Sequence, residues 1–477
     1  MPHVVIAGAG LSGLSLAYRL RQLRSDVRVT VLEKNDRPGG NIWTEFREGF
    51  RVELGPNGFL DAKPSTVRLC RDLGVGDRLI AASEASRKNR YLFLREKLQK
   101  LPGSPLSFLA SPLLGWRGKV MLLTEPFRRR RPPPGDESVH DFAVRRAGKE
   151  VADVFADALV TGIQGGDPKL LSVRACFPRV AQAEREHGSV IRGFARAARQ
   201  RRREAQARGE PPPGPQRMWS FAEGLRVLIE RLRDAVTEGP AGDSAAPPGE
   251  VVTGVSVRRV ERVPQGESGP AAWRVRGDGR DEWRADAVVL TSPAYAQAEA
   301  LADLDAALAE AVGGIAYAPI AVVALGFRQA DVPGAPDGFG YIAPQRTRRD
   351  LLGVQWCSAI YPGRAPEGCV LWRALCGGWN RPDILNWDDE RLTAAVRREL
   401  GLAMGVSAGP VFRRVVRWPR AIPQYFVGHL DRVARVEAML GRHPGLFLGG
   451  NAYHGIAMND CTGQAEVLAA RIAAYLG

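Results

Sequence analysis

The chain has no apolar run close to the roughly 18 to 20 residues that a membrane-spanning helix needs, which excludes a bundle of transmembrane segments. Its six cysteines, Cys70, Cys176, Cys357, Cys369, Cys376 and Cys461, form no C-x-x-C pair, and its six histidines never stand at i, i+4 around a carboxylate. Zinc and iron–sulfur centres therefore lack their ligand spacing, and no metal is expected. Scattered thiols read as free cysteines of a reducing compartment. The strand-like run Val4-Val5-Ile6 begins too early for a secretory signal, so the mature chain is expected to start at or near Met1 and to reside in the cytoplasm.

What is present is an ordinary globular composition, 477 residues with 45% hydrophobic and 25% charged, enough for the cores of two or three domains. The balance of charge is +15, which points to acidic partners: nucleic acid, anionic lipid or a carboxylate-bearing small molecule. Much of the excess is local, in Arg128 to Arg131 and in the stretch from Arg192 to Pro215. No RNA-binding or zinc-finger pattern accompanies these runs and no aromatics are interleaved with them, so nucleic acid ranks low as a partner.

From His3 the pattern is strand, glycine loop, helix, strand. Leu14, Leu16, Ala17 and Leu20 recur at helical spacing, while Val27, Val29 and Val31 alternate. A strand-like run over 49–56, a helix over 64–75 and a hairpin over 89–102 come next. Between Leu106 and Arg208 strand signals thin out and helices are expected. Val151, Val154, Phe155, Ala158 and Leu159 share one face there, with Gly162 and the pair Gly165-Gly166 as stops. Residues 221–236 predict a further helix, residues 251–263, 273–277 and 284–293 predict strands, and strands dominate from Ala316 to Trp379. The segments 240–250 and 264–271 read as loops. The close is a strand over 444–451 and a helix from Met458.

The segment "GAGLSG" places Gly8, Gly10 and Gly13 in G-x-G-x-x-G spacing between the first strand and the first helix, which Leu11 and Ser12 open. The first glycine serves a tight turn, the second lets a pyrophosphate approach the helix N-terminus, and the third lets helix and strand pack closely. The second strand ends at Glu33, twenty positions after Gly13, where a carboxylate can accept hydrogen bonds from an adenosine ribose. The fold class is therefore α/β, with a Rossmann-like dinucleotide-binding domain. Lys34, Arg37, Gly39 and Gly40 come directly after it, setting a cationic side chain and bare backbone beside the same pyrophosphate. Near the other end, "GGNAYHGIAMNDC" offers glycines for close approach and then Asn459 and Asp460 opening a helix, as plain caps or with amides facing a ligand.

The R-x-G-G turn resembles that of the amine oxidase superfamily of flavoproteins, in which it touches FAD. Over nearly its whole length the chain further resembles the oxygen-dependent protoporphyrinogen oxidases of heme biosynthesis, in "VELGPNGF", "NRYLFL", "FAEGLRVL", "GIAYAPIAVVALGF", "DGFGYIAP", "RWPRAIPQYFVGH" and "GNAYHGIAMNDC". The resemblance implies FAD as cofactor, a porphyrinogen substrate and O2 as acceptor, with H2O2 released over three two-electron steps. It implies flavin contacts at Gly55, Pro56, Asn57, Val257, Trp418, Gly450, Ile456, Ala457 and Met458. Asn57 is the expected polar neighbour of the reacting carbon. The resemblance also implies a substrate propionate at Arg90 and walls for the macrocycle at Phe339, Gly340, Ile342 and Leu375.

The expected division is a FAD-binding domain of residues 1–85, 216–300 and 426–477, and a mixed-sheet substrate domain of 86–105 and 301–425. A helical insertion, 106–215, corresponds to the part thought to rest on membranes in that family. Peripheral contact with the cytoplasmic membrane and a homodimer are among the expectations. A coproporphyrinogen III oxidase remains open as an alternative, and an amine oxidase or carotenoid desaturase is a weaker one. Two features depart from the family pattern: Arg373 in a strand that is mostly apolar in relatives, and Gly165-Gly166-Asp167 where many have Ala-Gly-Asp.

Overall fold

The computed structural model describes residues 1–477 apart from 129–132, 210, 212–213, 239–246, 264–271, 280 and 335. The expected loop at 264–271, most of that at 240–250 and three residues of the arginine run, 129–131, fall outside the described residues. Strand His3–Ala7, helix Leu11–Leu23 and strand Arg28–Glu33 form as the alternation of their apolar residues dictates. They seed a five-stranded parallel sheet in the order Glu250–Thr253, Arg28–Glu33, His3–Ala7, Ala287–Leu290, Leu446–Leu448.

Its three inner strands are buried on both faces, as parallel strands with crossover helices require. Val4, Ile6, Val29 and Val31 face helices Leu11–Leu23, Arg226–Glu238 and Met458–Tyr475. Val5, Ala7, Leu32 and Val288 face an antiparallel sheet of Arg259–Arg262, Trp273–Arg276 and Glu282–Ala285, together with helix His429–Leu440. The run expected as strand over 251–263 therefore serves two sheets. Gly254, at φ +77°, turns the chain out of the first before it enters the second.

A second, seven-stranded mixed sheet runs in the order Phe412–Pro423, Tyr317–Arg328, Cys369–Gly377, Gly353–Gln355, Gly340–Ile342, Arg90–Leu94, Lys97–Lys100. The expected hairpin at 89–102 supplies its last two strands. The edge strand Phe412–Pro423 escaped the sequence reading because of its two prolines, which an edge position tolerates. One face of this sheet packs Val323, Leu325, Trp372 and Cys376 on helix Asp389–Met404. The other face turns toward the first sheet and the inserted helices.

Between Pro105 and Ala207 the described residues form helices and no strand. Gly162 lies inside helix Asp157–Gln164 and does not stop it. The stop is Gly165, in the left-handed conformation. Leu159 is 44% exposed, off the face it was expected to share with Val154 and Ala158, because a π-turn at Ala152–Ala156 inserts an extra residue and rotates the helix beyond it. The insertion is tied together at Glu125. This buried carboxylate accepts from the Arg146 guanidinium (Nε at 2.9 Å), the Ser189 hydroxyl at 2.6 Å and the Val190 amide at 3.0 Å, so it both pairs a buried cation and caps helix Val190–Ala207. Glu125→Ala is expected to lower stability by about 3 kcal/mol, since Arg146 loses its nearest counter-charge and keeps only the longer pair with Glu184 at 3.4 Å, and helix Val190–Ala207 loses a cap. Thermal or urea melts that match wild type would refute this role.

Candidate functional site

Backbone sets the first part of the site. Gly8 takes φ +107°, and a Cβ on Gly13 would lie 1.9 Å from the Gly8 carbonyl oxygen. At Gly10 nothing lies within 4 Å of a Cβ, so that flank of the loop is open to a ligand. Gly10 caps helix Leu11–Leu23 without any side-chain bond, which leaves the amides of Leu11 and Ser12 available to an anion. The Arg37-Pro38-Gly39-Gly40 turn lies directly against this loop. The Gly39 amide donates to the Ala9 carbonyl at 2.8 Å, and a Cβ on Gly40 would stand 3.8 Å from the Gly10 Cα. Glu33 is buried at the strand end and accepts from the amides of Ala9 and Asn35, both at 3.0 Å, so the carboxylate braces the loop it faces. Lys34 beside it is exposed, and the Val255 amide donates to the Glu33 carbonyl at 2.9 Å, which brings the turn bearing Val257 alongside. The Arg37 guanidinium lies 4.4 Å from the centre of the Trp43 ring, and burial lowers its pKa.

The C-terminal turn reaches the same place. Gly450 takes φ +101°, against the Thr291 carbonyl. The Tyr425 hydroxyl donates to the Asn451 carbonyl at 2.5 Å and accepts from the Gly455 amide at 2.9 Å, so one phenol pins both ends of the turn. Ile456 and Ala457 keep exposed surface, and helix Met458–Tyr475 starts behind them. Asp460 caps that helix, accepting from the Ala457 amide at 3.2 Å. Asn459 does not cap it. Its side-chain amide donates to the Leu60 carbonyl and its oxygen faces the Thr66 amide, because the neighbouring segment offers those partners.

A third part joins the two sheets. A Cβ on Gly55 would fall 1.9 Å from the Asn41 carbonyl, and the Trp418 indole donates to the Leu54 carbonyl at 2.8 Å. Pro56 is half-buried. Asn57 is 5% exposed, and neither its amide nitrogen nor its oxygen has a partner among the described residues. Strand register then lays out the neighbouring face. Arg90, Gly340, Gln355 and Arg373 form one row across four strands, and Ile342, Gly353 and Leu375 lie in the next. Arg90 sits 4.9 Å over the Phe339 ring and has no carboxylate partner among the described residues. It keeps an accessible side, yet the surrounding walls lower its pKa. Leu375 is half-buried, and Ile342 meets helix Asp157–Gln164 at Gly162, where a Cβ would come within 2.6 Å of it.

The sequence pattern of the flavin containing amine oxidoreductases matches residues 11–473. The chain belongs to that family. FAD is its cofactor. This flavoprotein is 31% identical to the chloroplastic protoporphyrinogen oxidase of Oryza sativa, over 99% of its own length and 88% of that protein's. It is 28% identical to the coproporphyrinogen III oxidase of Staphylococcus aureus, over 99% of each. A solved structure from Exiguobacterium sp. 255-15, provisionally described as a protoporphyrinogen oxidase, is 24% identical over 99% of each chain with a TM-score of 0.82, which shows the fold.

The residues present fit the cofactor. The open flank at Gly10, the glycine turn against it and the unmatched, buried amide of Asn57 are features that a dinucleotide and its ring would complete. Trp43, Tyr425 and Gln355 were missed by sequence reasoning. Trp43 lies between the guanidiniums of Arg37 and Arg226, each within 4.5 Å of the ring centre, and no local spacing announces that. His429 stacks on Tyr425 with centroids 4.0 Å apart, and burial takes its imidazole down to about 4 from an ordinary 6.5. The unfolded chain therefore binds this proton first. Stability from His429 is complete above pH 6.5 and is lost as the pH falls toward 4, by up to roughly 3 kcal/mol. The Tm of His429→Phe should fall less than that of wild type across this window. Parallel Tm–pH curves would count against the assignment.

Proposed function

We propose that this flavoprotein oxidises protoporphyrinogen IX to protoporphyrin IX, with O2 as acceptor and H2O2 as the reduced product. The observation that carries the reading is one sheet face bearing Arg90, Gly340, Ile342 and Leu375 within four consecutive strands, which leads across to Trp418 beside the Leu54–Asn57 turn. A flat, carboxylate-bearing tetrapyrrole precursor suits that strip. Its ring would lie against Phe339, Ile342 and Leu375, and a propionate would meet the Arg90 guanidinium, which no carboxylate among the described residues neutralises. FAD supplies the two-electron acceptor. The work left to this chain is positioning: Trp418 and Gly55 fix the turn beside the ring, and helix Asp157–Gln164 covers Ile342 and excludes water. In this reading residues 1–85, 216–300 and 426–477 bind FAD, 86–105 and 301–425 bind substrate, and 106–215 is the insertion.

Coproporphyrinogen III is the second reading, supported by bacterial relatives matched over 98 to 99% of their own length. Turnover of both porphyrinogens, followed as porphyrin fluorescence with O2 uptake, tests the proposal. Neither substrate being oxidised sinks it, and a preference for coproporphyrinogen moves it to the second reading. Arg90→Ala should raise KM about tenfold while leaving the flavin spectrum unchanged, the scale of one lost charge-assisted pair. An unaltered KM would remove Arg90 from the substrate site.

We further propose that the insertion rests on an anionic membrane surface. No helix of the described residues is long and apolar enough to cross a membrane. Leu106, Trp116 and Phe127 are 71 to 80% exposed, and Arg117 and Arg192 lie over the rings of Trp116 and Phe127. Apolar tips flanked by cations are the pattern of an interfacial anchor. In flotation with anionic vesicles at low salt, wild type should rise with the lipid and Trp116→Ser/Phe127→Ser should do so less. Wild type staying in the dense fraction rules the contact out.

A further inference from the structure

Arg373 stands in the interior of strand Cys369–Gly377, two residues before Leu375 and so on the same face of the sheet. It is 2% exposed. Its Nη2 donates to the Gly55 carbonyl at 2.7 Å, while Nε and Nη1 have no partner among the described residues. Arg364 is fully buried nearby, donating to the Ser220 hydroxyl at 2.8 Å and lying 3.3 Å from Glu53, again with two nitrogens unmatched.

Glu53 is the one carboxylate that acts on both guanidiniums among the described residues. Its oxygens also accept from the Thr44 hydroxyl at 2.8 Å and the Leu225 amide at 2.9 Å. Burial pushes its carboxyl up and the Arg373 guanidinium down, the direction expected of charges held away from water. Cys357, next to them, has its thiol raised by burial and brings no negative charge. This interior therefore holds two cations against one carboxylate, a surplus of positive charge that a dry core does not keep without a counter-charge. Around the same turn the Asn57 amide is unmatched, as is the oxygen of Gln355, which faces Arg373 across the strand pair. Unmatched buried polar atoms converging on one turn call for a ligand there.

We propose that Arg373 is a positioning residue of the flavin site that holds the Gly55–Asn57 turn against the ring and supplies the buried cation that raises the ring's affinity for electrons. The proposal rests on the reading of Leu54–Asn57 as the turn beside the flavin. A fixed charge near the ring is one of the few means a protein has to tune the cofactor, and a low-dielectric interior magnifies it. A hydrogen bond to Gly55 alone would orient the turn. The surplus charge adds an effect on the flavin itself.

The test is the two-electron midpoint potential of bound FAD in wild type, Arg373→Met and Arg373→Lys, measured by anaerobic dye-linked reduction. Arg373→Met should lower the equilibrium constant for reduction at least tenfold, about 30 mV for a two-electron couple. Arg373→Lys, which keeps the charge and loses the forked geometry, should stay within threefold of wild type. A flavin-loaded Arg373→Met with the wild-type potential overturns the proposal alone. If Arg373→Met does not hold flavin, a tenfold fall in Arg373→Lys overturns it, since charge would then not be the determinant. Wild-type chain that takes up no flavin overturns both this proposal and the reading beneath it.

Discussion

At Gly13 there is no room for a methyl group, because the carbonyl oxygen of Gly8 sits where a Cβ would be, and the same is true of Gly55 against Asn41. Backbone packed on backbone at these points lets the first helix lie close on its strand and lets the R-x-G-G turn bond directly to the loop. Every other part of the site is placed relative to that contact. Helix Met458–Tyr475 packs on helix Leu11–Leu23, which brings the C-terminal glycine turn beside the first glycine loop. Glu33, Tyr425 and Trp418 act as braces, each joining backbone of the site to a different element.

The charges divide into two kinds. On the surface a share of the arginines pair with nearby carboxylates, as Arg414 does with Glu45 and Arg145 with Glu137 and Glu184, which stabilises little. Two others stand apart from such pairs: Arg90 lies over Phe339, and Arg373 lies in the interior beside Gly55, where it and Arg364 share the single carboxylate of Glu53. Further cations lie beside the exposed apolar side chains of the inserted helices.

Much of the fold was legible in the sequence where the signal is local. The strand, glycine loop and helix of residues 3–33 are dictated by spacing alone, and so are the hairpin at 90–100 and the strands from Tyr317 to Gly377. What spacing could not tell was partnership. Residues 251–263 divide between two sheets because Gly254 turns the chain, Leu159 faces outward because of a π-turn, and Phe412–Pro423 is a strand in spite of its prolines because it lies at an edge. Asn459 and Asp460 both looked like caps; the carbonyl of Leu60, some 400 residues away in sequence, claims the first. The family resemblance pointed to Arg90, Phe339, Gly340, Ile342 and Leu375, and register places the strand residues among them on one face. Arg373 stood out in the sequence as a departure from the family, but that its charge is unbalanced can be seen only from the elements that meet around it.

The order of the parallel sheet carries a consequence for how the polypeptide comes into being. Its central strand is the first of the five in sequence, its neighbours are residues 28–33 and 287–290, and its far edge is Leu446–Leu448. A ribosome must therefore deliver the polypeptide through Leu448 before that layer can close. Until then Val5, Val288 and their neighbours have no complete cover, and loop closure over such distances is slow. The nascent protein passes through an interval as an unfinished sheet with uncovered apolar strands, a period in which chaperones can attend it.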